Sequence, residues 1–249
     1  MTVLRLFVEG GLAAGQPVAL DGGQAHYLLN VMRRQRGDEV VVFNGRDGEW
    51  GGRIEQLGSR GGEICVETLL RSQETGCNVW LVFAPLKRAR LDFVAQRATE
   101  MGAARLQPVL TRRTIVSRVK LDRLRANAIE AAEQCHLLSV PVVTEVLSLE
   151  YLLENWERDA PERLIMFCDE AAEKTAPVHQ LREVSRKKGV QRSWAVLVGP
   201  EGGFDDEERE LLRAREDVVN VSLGPRIMRA DTAAVAALTL WHVALGDLS

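Results

Sequence analysis

Apolar and polar residues alternate through Met1-Thr2-Val3-Leu4-Arg5-Leu6-Phe7, the period-two pattern of a half-buried strand. Similar short runs recur at residues 5–8, 39–43, 50–54 and 63–67, separated by Gly10-Gly11, Gly22-Gly23, Asn44-Gly45, Asp47-Gly48 and Gly61-Gly62. Glycine dipeptides supply the positive backbone angles of tight turns, so this stretch predicts a small β-barrel. One helix is expected to interrupt it over residues 24–34, where Ala25, Leu28, Leu29 and Met32 fall on one face at 3.6-residue spacing.

The pattern changes after the linker-like Ser72-Gln73-Glu74-Thr75-Gly76. Apolar runs at 79–84, 106–110, 164–168, 195–198 and 218–223 now alternate with helix-period stretches at 91–101, 121–138, 178–187, 206–215 and 232–245. That alternation predicts a largely parallel sheet covered by helices. The chain is therefore expected to be α/β, with a small β domain over residues 1–72 and a larger domain over 73–249. No internal repeat or low-complexity segment is visible.

Composition adds little to this picture, because 46% hydrophobic and 27% charged residues in 249 describe an ordinary globular chain. No apolar run approaches the roughly 20 residues of a membrane helix, and the opening residues lack a signal-peptide layout, so a cytoplasmic location is expected. Cys65, Cys77, Cys135 and Cys168 form no C-x-x-C pair. His26, His136, His179 and His242 are likewise isolated, and no metal is expected from spacing.

The net charge of −3 gives no global signal for nucleic acid, so any such surface must be local. Between Ala84 and Arg125 stand eleven basic residues, Lys87, Arg112 and Arg113 among them, against Asp92, Glu100 and Asp122. The segment reads either as a phosphate-contacting surface or as an ordinary solvated helix face.

The most informative stretch is Val198-Gly199-Pro200-Glu201-Gly202-Gly203-Phe204-Asp205, where an apolar strand runs through a glycine loop into a helix. Asp205 and Glu208 stand at N-cap and N3 spacing. Glycines here serve either to turn the chain or to admit a ligand at a strand's carboxyl end. The loop lacks G-x-G-x-x-G and G-x-x-x-x-G-K-[ST], and Glu201, Asp205, Asp206, Glu207 and Glu208 disfavour phosphate. A neutral nucleoside with a cationic centre, such as S-adenosylmethionine, suits it better. Gly202 is expected to be the glycine on which the loop's ligand depends.

A second loop, Leu223-Gly224-Pro225-Arg226-Ile227-Met228-Arg229, comes after the next strand and leads into Ala230-Asp231-Thr232-Ala233. It has the mixture of flexible, rigid and apolar residues suited to an adenine pocket. Ala233, Ala236, Ala237 and Leu240 read as core or as a helix-helix seam.

Together the two loops resemble the RsmE family, the 16S ribosomal RNA uridine-N3 methyltransferases of the SPOUT superfamily. Arg5-Leu6-Phe7-Val8 and His26-Tyr27-Leu28-Leu29-Asn30-Val31-Met32-Arg33 are similar to its PUA-like domain, and Gln96-Arg97-Ala98-Thr99-Glu100-Met101-Gly102 to its "QKATELG" helix. The resemblance implies a PUA-like β-barrel followed by a trefoil-knotted parallel-sheet domain, a homodimer, S-adenosylmethionine as cofactor and small-subunit ribosomal RNA as substrate. It puts Val198, Gly199, Pro200, Glu201, Gly202, Gly203, Leu223, Gly224, Ile227, Met228 and Arg229 at the cofactor, with Phe167 and Cys168 as a third wall.

Arg229 and Asp231 become the catalytic candidates, Asp231 either orienting Arg229 or accepting a proton. Arg5, His26, Arg33, Lys87, Arg112, Arg113 and Gln134 become the RNA-binding candidates. Two departures stand out: Asp231 where the pattern has Glu, and His136 and Leu137 where "EQ-x-G-R" has Gly and Arg. Ribose 2′-O-methylation and a noncatalytic ribosome-assembly role are the competing functions.

Overall fold

The computed structural model describes residues 4–116, 118–173, 176–189 and 193–248, so the expected strand residues Met1, Thr2 and Val3 lie outside the described residues. The chain divides into two compact units, Met1–Thr75 with Ala132–Val140, and Gly76–Ala131 with Pro141–Ser249. The return of residues 132–140 to the first unit has no counterpart in the sequence pattern.

In the first unit, β1 (Arg5–Phe7), β2 (Pro17–Leu20), α1 (Gly22–His26), β3 (Glu39–Phe43), β4 (Glu49–Gly58) and β5 (Gly61–Arg71) succeed one another. Their sheet order is β1-β3-β4-β5-β2, with β1 parallel to β3 and the other pairs antiparallel. Leu6, Val18, Leu28, Val42, Ile54 and Ile64 belong to a single core. Among the described residues β1 and β2 stand at the two ends of this order, and the sheet wraps the core.

The expected helix over 24–34 is shorter and wider than its periodicity suggests. Asp21 caps α1, its Oδ1 accepting the Gln24 amide at 2.8 Å while Gln24 Oε1 accepts the Asp21 amide at 3.1 Å. The chain then widens into a π turn at Tyr27–Val31, where the Met32 amide donates to Tyr27, five residues back, at 2.9 Å. The extra residue in the turn rotates its later side chains away from the core, so Leu28 is buried while Leu29 and Met32 are exposed.

Arg5 is a correction to the RNA-binding set. Its guanidinium is buried over the Phe43 ring at 3.6 Å and donates to Glu49 and to the carbonyls of Ala132, at 2.6 Å, and Leu137. These bonds leave it no role at a phosphate. Arg71 closes the same network, donating to Glu49 Oε2 at 2.7 Å and to the His136 carbonyl at 2.7 Å. His136 adopts φ +56, the left-handed region natural to the glycine of the family pattern, and Arg71 and Arg5 hold the segment by its carbonyls.

Burial raises the Glu49 carboxyl's pKa, but hydrogen bonds from Arg71 and Arg5 outweigh it, leaving Glu49 below the usual carboxylate range. A depressed folded-state value contributes stability above the unfolded pKa of about 4.3, and that contribution is lost as pH falls through the folded value. Denaturant melts from pH 7 to pH 3 are therefore expected to show a smaller acid-side loss in Glu49→Gln than in the parent. Equal losses would remove Glu49 from the acid response.

The second unit carries β6 (Val79–Phe83), α2 (Arg88–Glu100), β7 (Arg105–Leu110), α3 (Leu121–Gln134), β8 (Val142–Val143), β9 (Leu147–Ser148), α4 (Leu149–Glu154) and α5 (Trp156–Asp159). The last turn of α3 already belongs to the first unit. Then come β10 (Leu164–Cys168), α6 (Pro177–Lys188), β11 (Trp194–Val198), α7 (Asp206–Arg213), β12 (Val218–Val221) and α8 (Ala230–Leu245). The strands run β12-β10-β11-β6-β7-β8, every pair parallel, with β9 beside β7.

Wholly buried runs such as Val79-Trp80-Leu81-Val82-Phe83 fit strands covered on both faces. The short helices α4 and α5 have no counterpart in the sequence pattern. They bury Leu149, Leu152, Leu153 and Trp156 against Trp80, Val82 and Phe167. Among the described residues no helix is long and apolar enough to cross a membrane.

Candidate active site at the carboxyl ends of three strands

The register brings three loops to one level. Cys168, last in β10, is paired with Val198, last in β11, and with Val221, last in β12. The loops leaving these strands surround a cavity of about 290 Å³. Carboxyl ends of parallel strands are where such sheets bind ligands, because the connections there are free of sheet hydrogen bonding.

Cys168 and Val198 form its floor, with Gly199, Pro200, Glu201 and Gly203 on one side and Leu223, Gly224, Ile227 and Met228 on another. Burial pushes the Cys168 thiol up to about 12, so this wall is neutral and not nucleophilic. Ile227 is 89% exposed, an apolar side chain at the rim that the described residues leave uncovered.

Three expected residues are not in the lining. Phe167 precedes Cys168 on β10 and so points to the opposite face, where it is fully buried edge-on to Phe204 at 4.9 Å. Gly202 turns away, and a Cβ built there meets Arg113 at an ordinary 3.5 Å. Arg229 is the exposed N-cap residue of α8, outside the cavity, and its guanidinium has no hydrogen bond or ion pair among the described residues.

The glycines that the loop needs are its first and last. A Cβ on Gly199 would lie 2.5 Å from the buried Phe204 ring, and Gly203 sits at φ +68 with Glu170 Oε1 2.9 Å from its Cβ position. Beyond them, Asp205 and Glu208 make the expected reciprocal cap at 2.8 and 3.0 Å. The backbone amide of Glu208 and the Arg112 guanidinium hold the Asp205 carboxyl below its ordinary range.

Beyond Glu201 and Arg226, sequence reasoning missed the charged wall. Asp169 and Glu170, just past β10, line the cavity with Arg209 of α7 and Arg226 of the second loop. Arg209 donates to Asp169 at 3.2 Å and Glu170 at 3.1 Å, and Arg213 binds Asp169 at 2.6 Å. Arg90, in sequence only one member of a basic run, forms an ion pair with Glu201 and lies 3.8 Å from Asp231 Oδ2. Asp231 thus faces Arg90 rather than Arg229, and its other oxygen accepts the Thr232 amide at 2.8 Å.

The expected phosphate pair also belongs to this architecture. Arg112 lies among carboxylates, bound to Glu207 and to Asp205 at 3.2 Å with Glu150 at 3.7 Å, while its amide donates to Glu208 at 2.8 Å. Arg113 donates to the Gly202 carbonyl at 3.0 Å. Both therefore brace the glycine loop, and the Arg112 charge is already met by carboxylates, whereas exposed Arg113 gives its bond to a neutral carbonyl. His26, Arg33, Lys87 and Gln134 remain exposed.

The cavity's donors suit S-adenosylmethionine: apolar walls for a nucleoside, Glu170 and Glu201 for positive charge, and Arg209 and Arg226 for a carboxylate. The family described as RNA methyltransferase domain matches residues 73–242, and the RNA methyltransferase PUA domain matches residues 20–66. Fold and site thus define an RNA methyltransferase carrying a PUA domain.

Similar proteins narrow the class. A ribosomal RNA small subunit methyltransferase E from Synechocystis sp. is 33% identical over 94% of this chain and 75% of its own length. Another, from Rickettsia conorii, is 28% identical over 94% and 93%. The chain belongs to the ribosomal RNA small subunit methyltransferase E family.

Among solved structures, the Neisseria gonorrhoeae member bound to S-adenosyl methionine shares 26% identity and a TM-score of 0.78, covering 97% of both chains. A Legionella pneumophila methyltransferase in complex with the same cofactor shares 27% and 0.83, covering 98% of both.

Proposed function

We propose that this enzyme methylates N3 of a uridine in small-subunit ribosomal RNA, using S-adenosylmethionine held in the cavity between the β10, β11 and β12 loops. The observation that carries the reading is the cavity's combination of apolar walls with paired charges, in a chain of this family. S-adenosylmethionine supplies an electrophilic methyl group when bound. The protein's own residues must select the uridine and ready N3 for attack.

Uracil N3 carries a proton and is a poor nucleophile until that proton leaves. The resulting imide anion spreads charge onto O2 and O4. Arg229, exposed beside the cavity loop with its guanidinium unpaired among the described residues, is our candidate for stabilising that charge. Asp231 and Arg90 have a different task, holding Glu201 and hence the glycine loop in position. The RNA-contacting set reduces to His26, Arg33, Lys87, Arg113 and Gln134, with Arg229 at the target base.

The same reading includes a trefoil knot in the second unit, a cytoplasmic site of action and a homodimer. The strand order, in which β12 returns to the far side of β10, supports the first. The small, half-buried Ala233 and Ala236 and the exposed Val243 along α8 support a self-complementary seam.

Small-subunit RNA incubated with enzyme and cofactor is expected to give a strong reverse-transcription stop at one uridine, because an N3 methyl blocks its pairing face. Nucleoside mass spectrometry should identify 3-methyluridine there. A 2′-O-methyl product would replace base by ribose as target, and no incorporation would favour a noncatalytic assembly role.

A further inference from the structure

The fold brings together three potential metal ligands that are far apart in sequence. Cys77 precedes β6, whereas His242 and Asp247 lie in the last turns of α8 and just beyond it. One ligand atom from each falls within 4.8 Å of the others. The Cys77 thiol donates a hydrogen bond to Asp247 Oδ1 at 2.8 Å. Spacing in the sequence does not register this group, because 164 residues lie between Cys77 and His242.

The imidazole is arranged as a ligand would be. His242 is buried, and its ring stands edge-on to Trp241 at 4.9 Å. Its Nε2 lies 2.6 Å from the Met101 carbonyl, which can only accept, so Nε2 carries the proton and Nδ1 presents its lone pair. A second nitrogen fixed by a backbone carbonyl is the usual outer support of a metal-bound histidine. The Asp247 amide reaches Nδ1 only at 3.4 Å, a weak bond.

Gly246 keeps that nitrogen accessible. A Cβ there would lie 2.5 Å from His242 Nδ1 and 2.8 Å from the Trp241 ring. The residue between the imidazole and carboxylate ligands is thus one whose side chain would obstruct the space they share.

We propose that Cys77, His242 and Asp247 form a zinc site that ties the turn after α8 to the start of β6, apart from the methyl-transfer cavity. Thiolate, imidazole and carboxylate together suit Zn²⁺, with water as the fourth ligand. Zinc bonds of about 2.0–2.3 Å set tetrahedral ligand atoms roughly 3.3–3.8 Å apart, so the Cys77–Asp247 contact widens as the ion enters between them. Binding releases the Cys77 thiol proton to solvent.

The test uses untagged full-length protein stripped with chelator and titrated with zinc chloride alone. One Zn²⁺ per chain is expected by calorimetry. Co²⁺ in its place should give thiolate-to-metal charge-transfer absorption. Cys77→Ser and Asp247→Asn should each weaken binding at least tenfold, while Cys135→Ser leaves it unchanged. Zinc should raise the melting temperature of the parent more than that of either ligand variant. Absence of stoichiometric binding, a cobalt spectrum without the thiolate band, or unchanged affinity in Cys77→Ser would each overturn the site.

Discussion

Replacing Arg229 by Ala is expected to slow single-turnover methylation on the order of 100-fold while leaving cofactor affinity within about threefold. The expectation rests on where the side chain lies. Arg229 is exposed at the start of α8, one residue from the cavity-lining Met228 and Ala230, yet it does not line the cavity and its guanidinium has no partner among the described residues. A guanidinium in that position costs the cofactor little when removed. Opposite an imide anion it is worth much more, because charge develops there only as N3 loses its proton. Arg229→Lys keeps the charge but loses the planar fork and should fall between the two. Full activity in Arg229→Ala, measured with saturating cofactor and RNA, would remove the residue from the mechanism.

The second large effect is expected at Gly199. Its absent Cβ would lie 2.5 Å from Cε2 of Phe204, itself buried and fixed edge-on against Phe167. Phe204 also lines the cavity, so Gly199→Ala must push either the strand end or the Phe204 ring into the space the ligand occupies. Overpacking of this kind costs about 1–3 kcal/mol, and felt at the ligand it would weaken S-adenosylmethionine by about 5- to 150-fold. Gly202→Ala supplies the contrast. Its nearest neighbour would be Arg113 at 3.5 Å, so affinity should stay within about threefold. Calorimetric titration of both variants, with melts to confirm folding, decides the matter; equal affinities would mean that the Gly199 contact does not shape the pocket.

These two sites also show which features a sequence exposes. The buried strands were legible because each reads as an uninterrupted apolar run, and Leu164–Cys168 was bounded to the residue. The glycine loops were legible as loops. Which glycine mattered was not, since Gly199 is required by Phe204 folding back over it, a contact set by tertiary packing rather than local pattern. Phe167 was misplaced for a simpler reason: alternation along β10 separates it from Cys168 by a whole face of the sheet.

Charge was the least legible property. The run from Ala84 to Arg125 looked like one basic surface, but Arg112 folds among Glu207, Asp205 and Glu150, and Arg90 pairs with Glu201. Arg5 went further, from an apparent surface cation to the buried centre of its unit. A basic residue's partner comes from anywhere in the chain, so counting neighbours in sequence overstates free charge. The short helices α4 and α5 escaped because six and four residues are too few to establish a period.

The passage of residues 132–140 back to the first unit bears on how the chain can be dissected. A fragment ending near residue 72 omits the Ala132, His136 and Leu137 carbonyls, so the Arg5 and Arg71 guanidinia keep Glu49 but lose their bonds to that segment. A single protease nick between Thr75 and Gly76 would likewise release nothing that is complete. The amino-terminal unit is therefore not a transposable module: grafting it onto another enzyme would require carrying a nine-residue insert from the middle of its neighbour.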